Sequence, residues 1–465
     1  MYTCSVSSCR RPNLRGASCL LCERRFCVEH LGKEYHPCPD RSIESEQRAY
    51  YNGRYNARII EINKLIASLN LDALCARASS LKGGVRCEIP PLVYDEHTGY
   101  TMMGDLNYHF PLIFDDGDTW ICRVRRVNVN TPPKAIENVV VQSEVATLQF
   151  LHSIGVPVPQ VHDFGLHTPT NPLSTAYILM DRVDGKPLRW FEVDEEDKKH
   201  ILEQFADIFI KLSDHPFNAI GGLQQSGDAG TYAVGPFTAY TSFLADLHPH
   251  GAISLLGPYD TYEMYLRAVL ERTLEYIHSG KGYVENRVDN YLLHKYLYER
   301  IPDIVKATNT DDGFCLKHLD DKGNHILVDE RNNIVGVIDW EWAQTVPKAI
   351  AFAAPIFIAG TRKYFLDEDM ELSSDETALA DILDGKGKGE LAMLVRNGRL
   401  QHRIWRSIFE NKTAENLPVA FTSLQKSLFG VDKAVLEWAV WKEPALARYK
   451  DDAGLQRLLS EAHPS

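Results

Sequence analysis

The sequence predicts an α+β chain in three parts: a small metal-bound knot, a strand-rich lobe and a large helical lobe. Three observations predict it. Six of the ten cysteines fall within the first 38 residues, apolar strand runs crowd residues 94–185, and helical periodicity dominates from 186 onward. A chain of 465 residues exceeds one ordinary core, so two or three units are expected. With 44% apolar and 24% charged residues, the composition is globular and not disordered.

The knot covers residues 1–40 and carries Cys4, Cys9, Cys19, Cys22, Cys27, His30, His36 and Cys38. These eight donors in four close pairs suffice for two tetrahedral zinc sites. A disulfide framework would leave both histidines unused, and so short a segment needs metal binding to supply its folding free energy. The spacing resembles the AN-one-type zinc finger, a cross-braced module of stress-associated and ubiquitin-pathway proteins. It departs from that pattern in its first gap, four residues where two are usual. The resemblance implies Cys4, Cys9, Cys27 and His30 on one zinc, with Cys19, Cys22, His36 and Cys38 on the other. Arg10, Arg11, Arg15, Arg24, Arg25 and Lys33 make the knot basic against Glu23, Glu29 and Glu34. Six thiolates with two Zn²⁺ add about two negative charges and largely cancel that excess. A protein partner is therefore expected of it. The formal net charge of −13 disfavours nucleic acid.

Residues 41–93 read as a helical linker packing on the body, with Ile59, Ile60, Ile62, Leu65, Ile66 and Leu69 at helical spacing. In 94–185, the runs Tyr108–Phe114 and Thr119–Val124 flank a hairpin signal at Asp115-Asp116-Gly117-Asp118. A helix over Asn138–Ser153 follows, carrying Val141, Val145, Leu148 and Leu151, and then the strands IGVPVPQVHDF and STAYILMDRVDG. In 186–465, Asp194 can cap a helix whose Ile201, Phe205, Ile208 and Leu212 form one apolar stripe. Helices are expected over Thr261–His278 and Arg287–Lys306, the second interrupted by Pro302.

Strands interrupt the helical lobe at residues 314–343, FCLKHLDDKGNHILVDERNNIVGVIDWEWA. Asp320 and Asp339 end two apolar runs joined by the hairpin ILVD-ERNN-IVGV. Phosphoryl transfer of the kinase type needs that arrangement: one carboxylate for the accepting hydroxyl and a second for Mg²⁺ against the phosphates. Together with the upstream order strand, turn, strand, helix, strand, strand, this resembles the aminoglycoside/choline kinase-like phosphotransferase family over about 95–360. KHLDDKGNHILVD followed by IDWEWA is similar to a fungal branch of it. The resemblance implies a protein-kinase-like two-lobed fold, with a β-rich N-lobe at 94–185 and a helical C-lobe at 186–465. It implies ATP and Mg²⁺ as cofactors and γ-phosphoryl transfer to a hydroxyl of an unidentified small molecule.

By that resemblance Asp320 orients the hydroxyl and takes its proton, His318 braces the loop, and Asp339 holds Mg²⁺. The family's second metal ligand is an asparagine five residues after the catalytic aspartate. Here that place is His325, a poor Mg²⁺ ligand, and Asn324 lies one earlier; either is a candidate at the metal-phosphate site. Arg123 stands where most kinases have a strand lysine gripping phosphates, and Glu144 matches its helical partner. Adenine would bond backbone near Met180, before a hinge at Asp181–Gly185. Gly104 is the one glycine at the turn that would cover phosphate. The runner-up reading is a nucleotide-binding pseudokinase scaffold whose zinc finger binds protein. No apolar stretch is long enough for a signal peptide or membrane span, so a soluble, cytoplasmic protein is expected, with the nucleus left open.

Overall fold

The structure is a computed structural model. It describes residues 16–18, 25–27, 57–92, 94, 106–127, 131–171, 173–228, 230–238, 255–279, 286–308, 313–360, 371–410, 412–430, 432–433 and 435–462. The chain divides into two compact units: residues 1–68 with 93–101, and residues 69–92 with 102–465.

In the first unit, β1 (Gly16–Ser18) pairs antiparallel with β2 (Arg25–Cys27), Gly16 opposite Cys27. Of the expected zinc ligands only Cys27 falls within a described strand. Cys4, Cys9, Cys19, Cys22, His30, His36 and Cys38 lie outside the described residues, as does Gly104. A helix, α1, spans 57–68.

The expected linker over 41–93 is not continuous. It breaks at Leu69-Asn70, and residues 69–92 belong to the second unit. Asn70 caps α2 (Leu71–Leu81), its side chain accepting from the Ala73 N–H at 3.1 Å. This cap satisfies a donor that a continuing helix would have bonded internally, so it starts a new helix. Arg77 then ties α2 to Asp163 through two bonds of 2.9 Å.

The second unit opens with a five-stranded antiparallel sheet in the order β3-β4-β5-β7-β6, comprising β3 (Cys87–Glu88), β4 (Asn107–Phe114), β5 (Thr119–Arg125), β6 (Val161–Gly165) and β7 (Tyr177–Asp181). The hairpin between β4 and β5 closes at Gly117, whose φ of +90° falls in the region open to glycine. Against the sheet lies α3 (Lys134–Ser153), which starts four residues before the expected position. It begins just after Pro133, whose carbonyl accepts from the Ile136 and Glu137 N–H groups.

The segment after β7 crosses to a second sheet, in which β8 (Lys186–Pro187) pairs with β14 (Ile326–Val328) and β14 with β15 (Ile334–Val337). A Cβ on Gly185 would stand 2.7 Å from Val335, so this crossing requires glycine. The same unit holds α4 (Glu195–Ser213), capped by Asp194 as expected, and three short antiparallel strand pairs. One of them joins β13 (Phe314–Lys317) to β16 (Gln344–Pro347).

The remaining helices include α5 (Tyr262–His278), α6 (Arg287–Glu299), α7 (Ile301–Thr308) and α12 (Gly398–Phe409). The expected helix over Arg287–Lys306 is thus two. Pro302 lacks an N–H and forces the break at Arg300. One apolar cluster gathers Val145 and Leu148 of α3, Ile178 and Met180 of β7, the α4 stripe, and Ile326 and Val337. A second joins α5 and α6 to α12 and the C-terminal helices. Each fully buried aliphatic side chain in them contributes about 1.5–3 kcal/mol. The first cluster matters here, because it fixes β7, α3 and the β14–β15 hairpin around one cleft.

Candidate functional site

Strand alternation decides which side chains of β5 reach the cleft. Trp120, Cys122 and Val124 are buried on one face, which places Arg123 and Arg125 together on the other. Helical spacing does the same for α3: Glu137 and Glu144, seven residues apart, share a face and are both buried. Arg123 donates through Nη1 to Glu144 and through Nη2 to Asp339 at 2.8 Å, and the same Nη2 lies 3.1 Å from Glu341. Arg125 donates to Glu341 and, at 3.2 Å, to Oδ1 of the Asn107 side chain, whose Nδ2 donates to Glu341 at 3.2 Å. Glu137 stands 3.8 Å from Arg125 and 3.0 Å from His167.

Buried charges persist only when they are paired and bonded this way. Burial alone would lower the Arg123 guanidinium, but Glu144, Glu341 and Asp339 reverse that and keep it protonated. Burial likewise pushes the Glu144 carboxyl upward, with Arg123 opposing. For Glu341 burial would raise the carboxyl, and the Arg125 and Arg123 charges overcome it and hold it below its ordinary value.

Asp339 follows β15 in the left-handed region, at φ 68° and ψ 46°. That conformation costs a non-glycine residue about 1–2 kcal/mol, least for Asp and Asn. Loss of water pushes its carboxyl up to about 6, Glu341 adds repulsion and Arg123 opposes both. Its side chain nevertheless keeps 45% of its surface exposed, so the carboxylate stays accessible from solvent.

The loop after β13 carries Asp320, whose Oδ1 pairs with Lys322 Nζ at 2.6 Å. The turn closes at Gly323, φ +97°, where a Cβ would meet Phe357 at 3.0 Å. His318 braces this loop as expected: its Nε2 donates to the Ile338 carbonyl at 3.0 Å, just before Asp339. His325 is buried and stacked on His318, ring centroids 4.1 Å apart, and its own carbonyl accepts from Ile338 N–H at 2.9 Å. Burial, and then the neighbouring His318, hold His325 well below its ordinary pKa. It is therefore a neutral packing group at neutral pH. Asn324 is exposed on the same turn. Met180 lies within β7 opposite Ile121 and Val161, packed in the first apolar cluster.

The structure thus gathers Arg123, Glu144 and Asp339 into one bonded set. It places Asp320, Asn324 and His325 on one loop, tied to the Asp339 turn through His318 and Ile338. Sequence reasoning missed Arg125, Glu341, Glu137, Asn107 and Lys322. The signals were present: alternation from Arg123, a two-residue step from Asp339, and a seven-residue step from Glu144.

Among the described residues no group of three or more His, Cys, Asp or Glu is disposed to hold a metal, and no helix is long and apolar enough to cross a membrane. A cation at Asp339 would take one or two protein oxygens, with phosphate and water completing its shell. That donor set suits Mg²⁺, which retains several waters and dislikes all-protein cages. Asp339 and Asn324 supply oxygen donors that fit it, and the buried His325 does not.

The sequence profile of the phosphotransferase enzyme family matches residues 112–347. A subtelomeric hrmA-associated cluster protein of Aspergillus fumigatus is 34% identical over 128 residues, 27% of this chain and 24% of that one. The mitochondrial protein "altered inheritance of mitochondria 9" of Zygosaccharomyces rouxii is 34% identical over 112 residues, 21% of this chain and 18% of its own. The chain spans about a quarter or less of the length of these curated relatives. Among solved structures, a thermostable mutant of aminoglycoside phosphotransferase APH(4)-Ia, in ternary complex with AMP-PNP and hygromycin B, is 15% identical. It covers 74% of this chain and 96% of its own at a TM-score of 0.40. A Plasmodium vivax ethanolamine kinase is 12% identical and covers 74% and 83% at 0.40.

Proposed function

This chain belongs to the phosphotransferase enzyme family, and on that premise we propose that it moves the γ-phosphoryl group of ATP to a hydroxyl of a small molecule. The observation that carries the reading is the guanidinium of Arg123, bonded to Glu144 on one side and to Asp339 on the other. Glu144 orients it, and its planar fork suits two phosphate oxygens at once. Asp339, with Asn324, would hold Mg²⁺, which when bound neutralises charge on the β- and γ-phosphates. Arg123 must exchange its bond to Asp339 for one to phosphate as nucleotide enters. Asp320 orients the acceptor hydroxyl and receives its proton late in transfer. Backbone near Met180 would receive adenine. KHLDDKGNHILVD with IDWEWA, and the yeast and mould sources of the curated relatives, support placing the chain in a fungal branch.

The test is thermal stabilisation by ATP with Mg²⁺ and slow ATP turnover, both removed by Asp339→Ala. A metabolite library read for ATP consumption against Asp320→Ala then identifies the acceptor. A folded protein that binds no Mg²⁺-ATP sinks the proposal.

One observation favours a second reading, a nucleotide-binding scaffold without turnover: His325 is buried and neutral where a second metal ligand is usual. Under it the working part is the N-terminal zinc finger, with one Zn²⁺ on each of its two four-residue ligand sets and a protein partner. The ligand spacing supports that finger. Two zinc per chain by elemental analysis is the expected result. Under the scaffold reading Cys27→Ala abolishes the cellular phenotype while Asp320→Ala leaves it; the enzyme reading expects the reverse sensitivity.

A further inference from the structure

A small cavity in the second unit is lined by α3, the short strand Phe237–Thr238 and the segment that runs from Asp339 into β16. Ser143, Thr238, Glu341 and Gln344 bring polar side chains to it, and all four residues are buried. Gln344 Nε2 donates to the Thr238 carbonyl at 3.2 Å, which fixes the other end of the amide as oxygen. That oxygen, Oε1, is buried without a hydrogen-bond partner. Such an acceptor costs stability unless something meets it. Charge narrows what that is. The bonded set that Glu341 joins holds four carboxylates, Glu137, Glu144, Asp339 and Glu341, against two guanidinium groups, Arg123 and Arg125. It stays net negative even with His167, beside Glu137, protonated. We infer that the cavity is a site for one monovalent cation, K⁺, held by the hydroxyls of Ser143 and Thr238, by Gln344 Oε1 and by the Glu341 carboxylate.

Size and donor type select the ion. The cavity is about as large as a single water molecule needs, and K⁺ is a sphere of nearly that size. K⁺ also exchanges its hydration shell for neutral oxygens of the kind that line this cavity. Na⁺ is smaller and cannot touch all of them at once. Mg²⁺ demands an octahedral shell with several retained waters, and there is no room for them. A water molecule would satisfy Gln344 Oε1 but would leave the excess negative charge where it is. The bound ion would tie α3, through Ser143, to β16, through Gln344. Ser143 adjoins Glu144, and β16 continues the segment that begins at Asp339, so occupancy stiffens the frame on which Arg123 is held. None of this requires phosphoryl transfer.

The test is the thermal unfolding of the full chain in KCl, NaCl and choline chloride at equal ionic strength, without nucleotide. K⁺ should raise the Tm of the second unit above its value in choline chloride by about 2 °C or more, saturating as a single site. Na⁺ should raise it clearly less. Gln344→Met removes the unpartnered oxygen and the amide bond to Thr238, so its Tm should be lower in every salt. The difference between KCl and choline chloride should vanish in it. Ser143→Ala removes one hydroxyl, and its half-maximal shift should require about tenfold more K⁺. If Gln344→Met does not fold, Ser143→Ala decides alone. Equal Tm in all three salts overturns the inference and leaves a cavity for water. Equal shifts from Na⁺ and K⁺ overturn it too, as does a K⁺ shift that the variants keep in full.

Discussion

Arg123 and Asp339, 216 residues apart in sequence, are joined by a 2.8 Å bond from guanidinium to carboxylate. The bond ties the second long strand of the first sheet to the turn that ends the β14–β15 hairpin, and Glu144 holds the other end of the same guanidinium. Removing the guanidinium leaves the Glu144 and Glu341 carboxylates buried against each other. Arg123→Met should therefore destabilise the second unit by about 3–5 kcal/mol, read from urea unfolding. Arg123→Lys keeps the charge but cannot span both partners, so it should lose less stability and weaken nucleotide binding. Equal stability of the Met variant and wild type would contradict the pairing.

Glu341 should prove energetically inseparable from Arg125. It takes bonds from Arg125 and Asn107 and lies beside Arg123, all within the buried set. Glu341→Gln and Arg125→Met should each destabilise. The double variant should cost less than their sum, with a coupling of about 1–3 kcal/mol. Additive losses would show that the pair is not a unit.

Much of this architecture is legible in the sequence, and the exceptions have a common cause. The β4–β5 hairpin and the α4 cap at Asp194 arise from turn chemistry and capping, which are local, whereas the Arg123–Glu144 pair is expected from the family resemblance. Glu341 to Asn107 spans 234 residues, and no local pattern states such a contact. The break at Asn70 is locally readable as a cap, but apolar periodicity runs through it and masks the boundary. The sequence shows His325 only by its place in a motif. Its stacking on His318, which decides what it can do, is tertiary.

The proposed zinc finger yields a separable prediction, because Cys27 falls in the first unit and Arg123, Glu144, Asp320 and Asp339 in the second. A strong chelator should remove two zinc ions per chain and abolish a distinct unfolding transition. The transition of the second unit, and its stabilisation by ATP with Mg²⁺ restored, should remain. Loss of both transitions together would mean that the units do not fold independently.

Acid should destabilise the second unit partly through His402, whose protonation state is fixed by its partners. Its Nε2 donates to the Ala354 carbonyl at 2.8 Å, and its Nδ1 faces Arg399 Nη1, which can only donate, at 3.2 Å. The ring is therefore neutral, and burial followed by the Arg399 charge holds it well below 6.5. His294 is also depressed, by burial. The unfolded chain takes up a proton near 6.5 that the folded chain refuses. Their contribution is thus complete above that pH and is lost as pH falls below it. Glu144 and Asp339, both raised, act in the opposite sense: their contribution is present at low pH and lost as pH climbs through their folded values, about 7 and about 6. Bulk acid sensitivity mixes the two, so the comparison must be with a variant. His402→Asn should lower Tm at pH of about 7.5 by removing packing and a bond, yet its Tm should fall less than that of wild type down to pH of about 5.5. Parallel curves would mean that His402 takes up its proton alike in the folded and the unfolded chain, and the Arg399 contact would then be wrong.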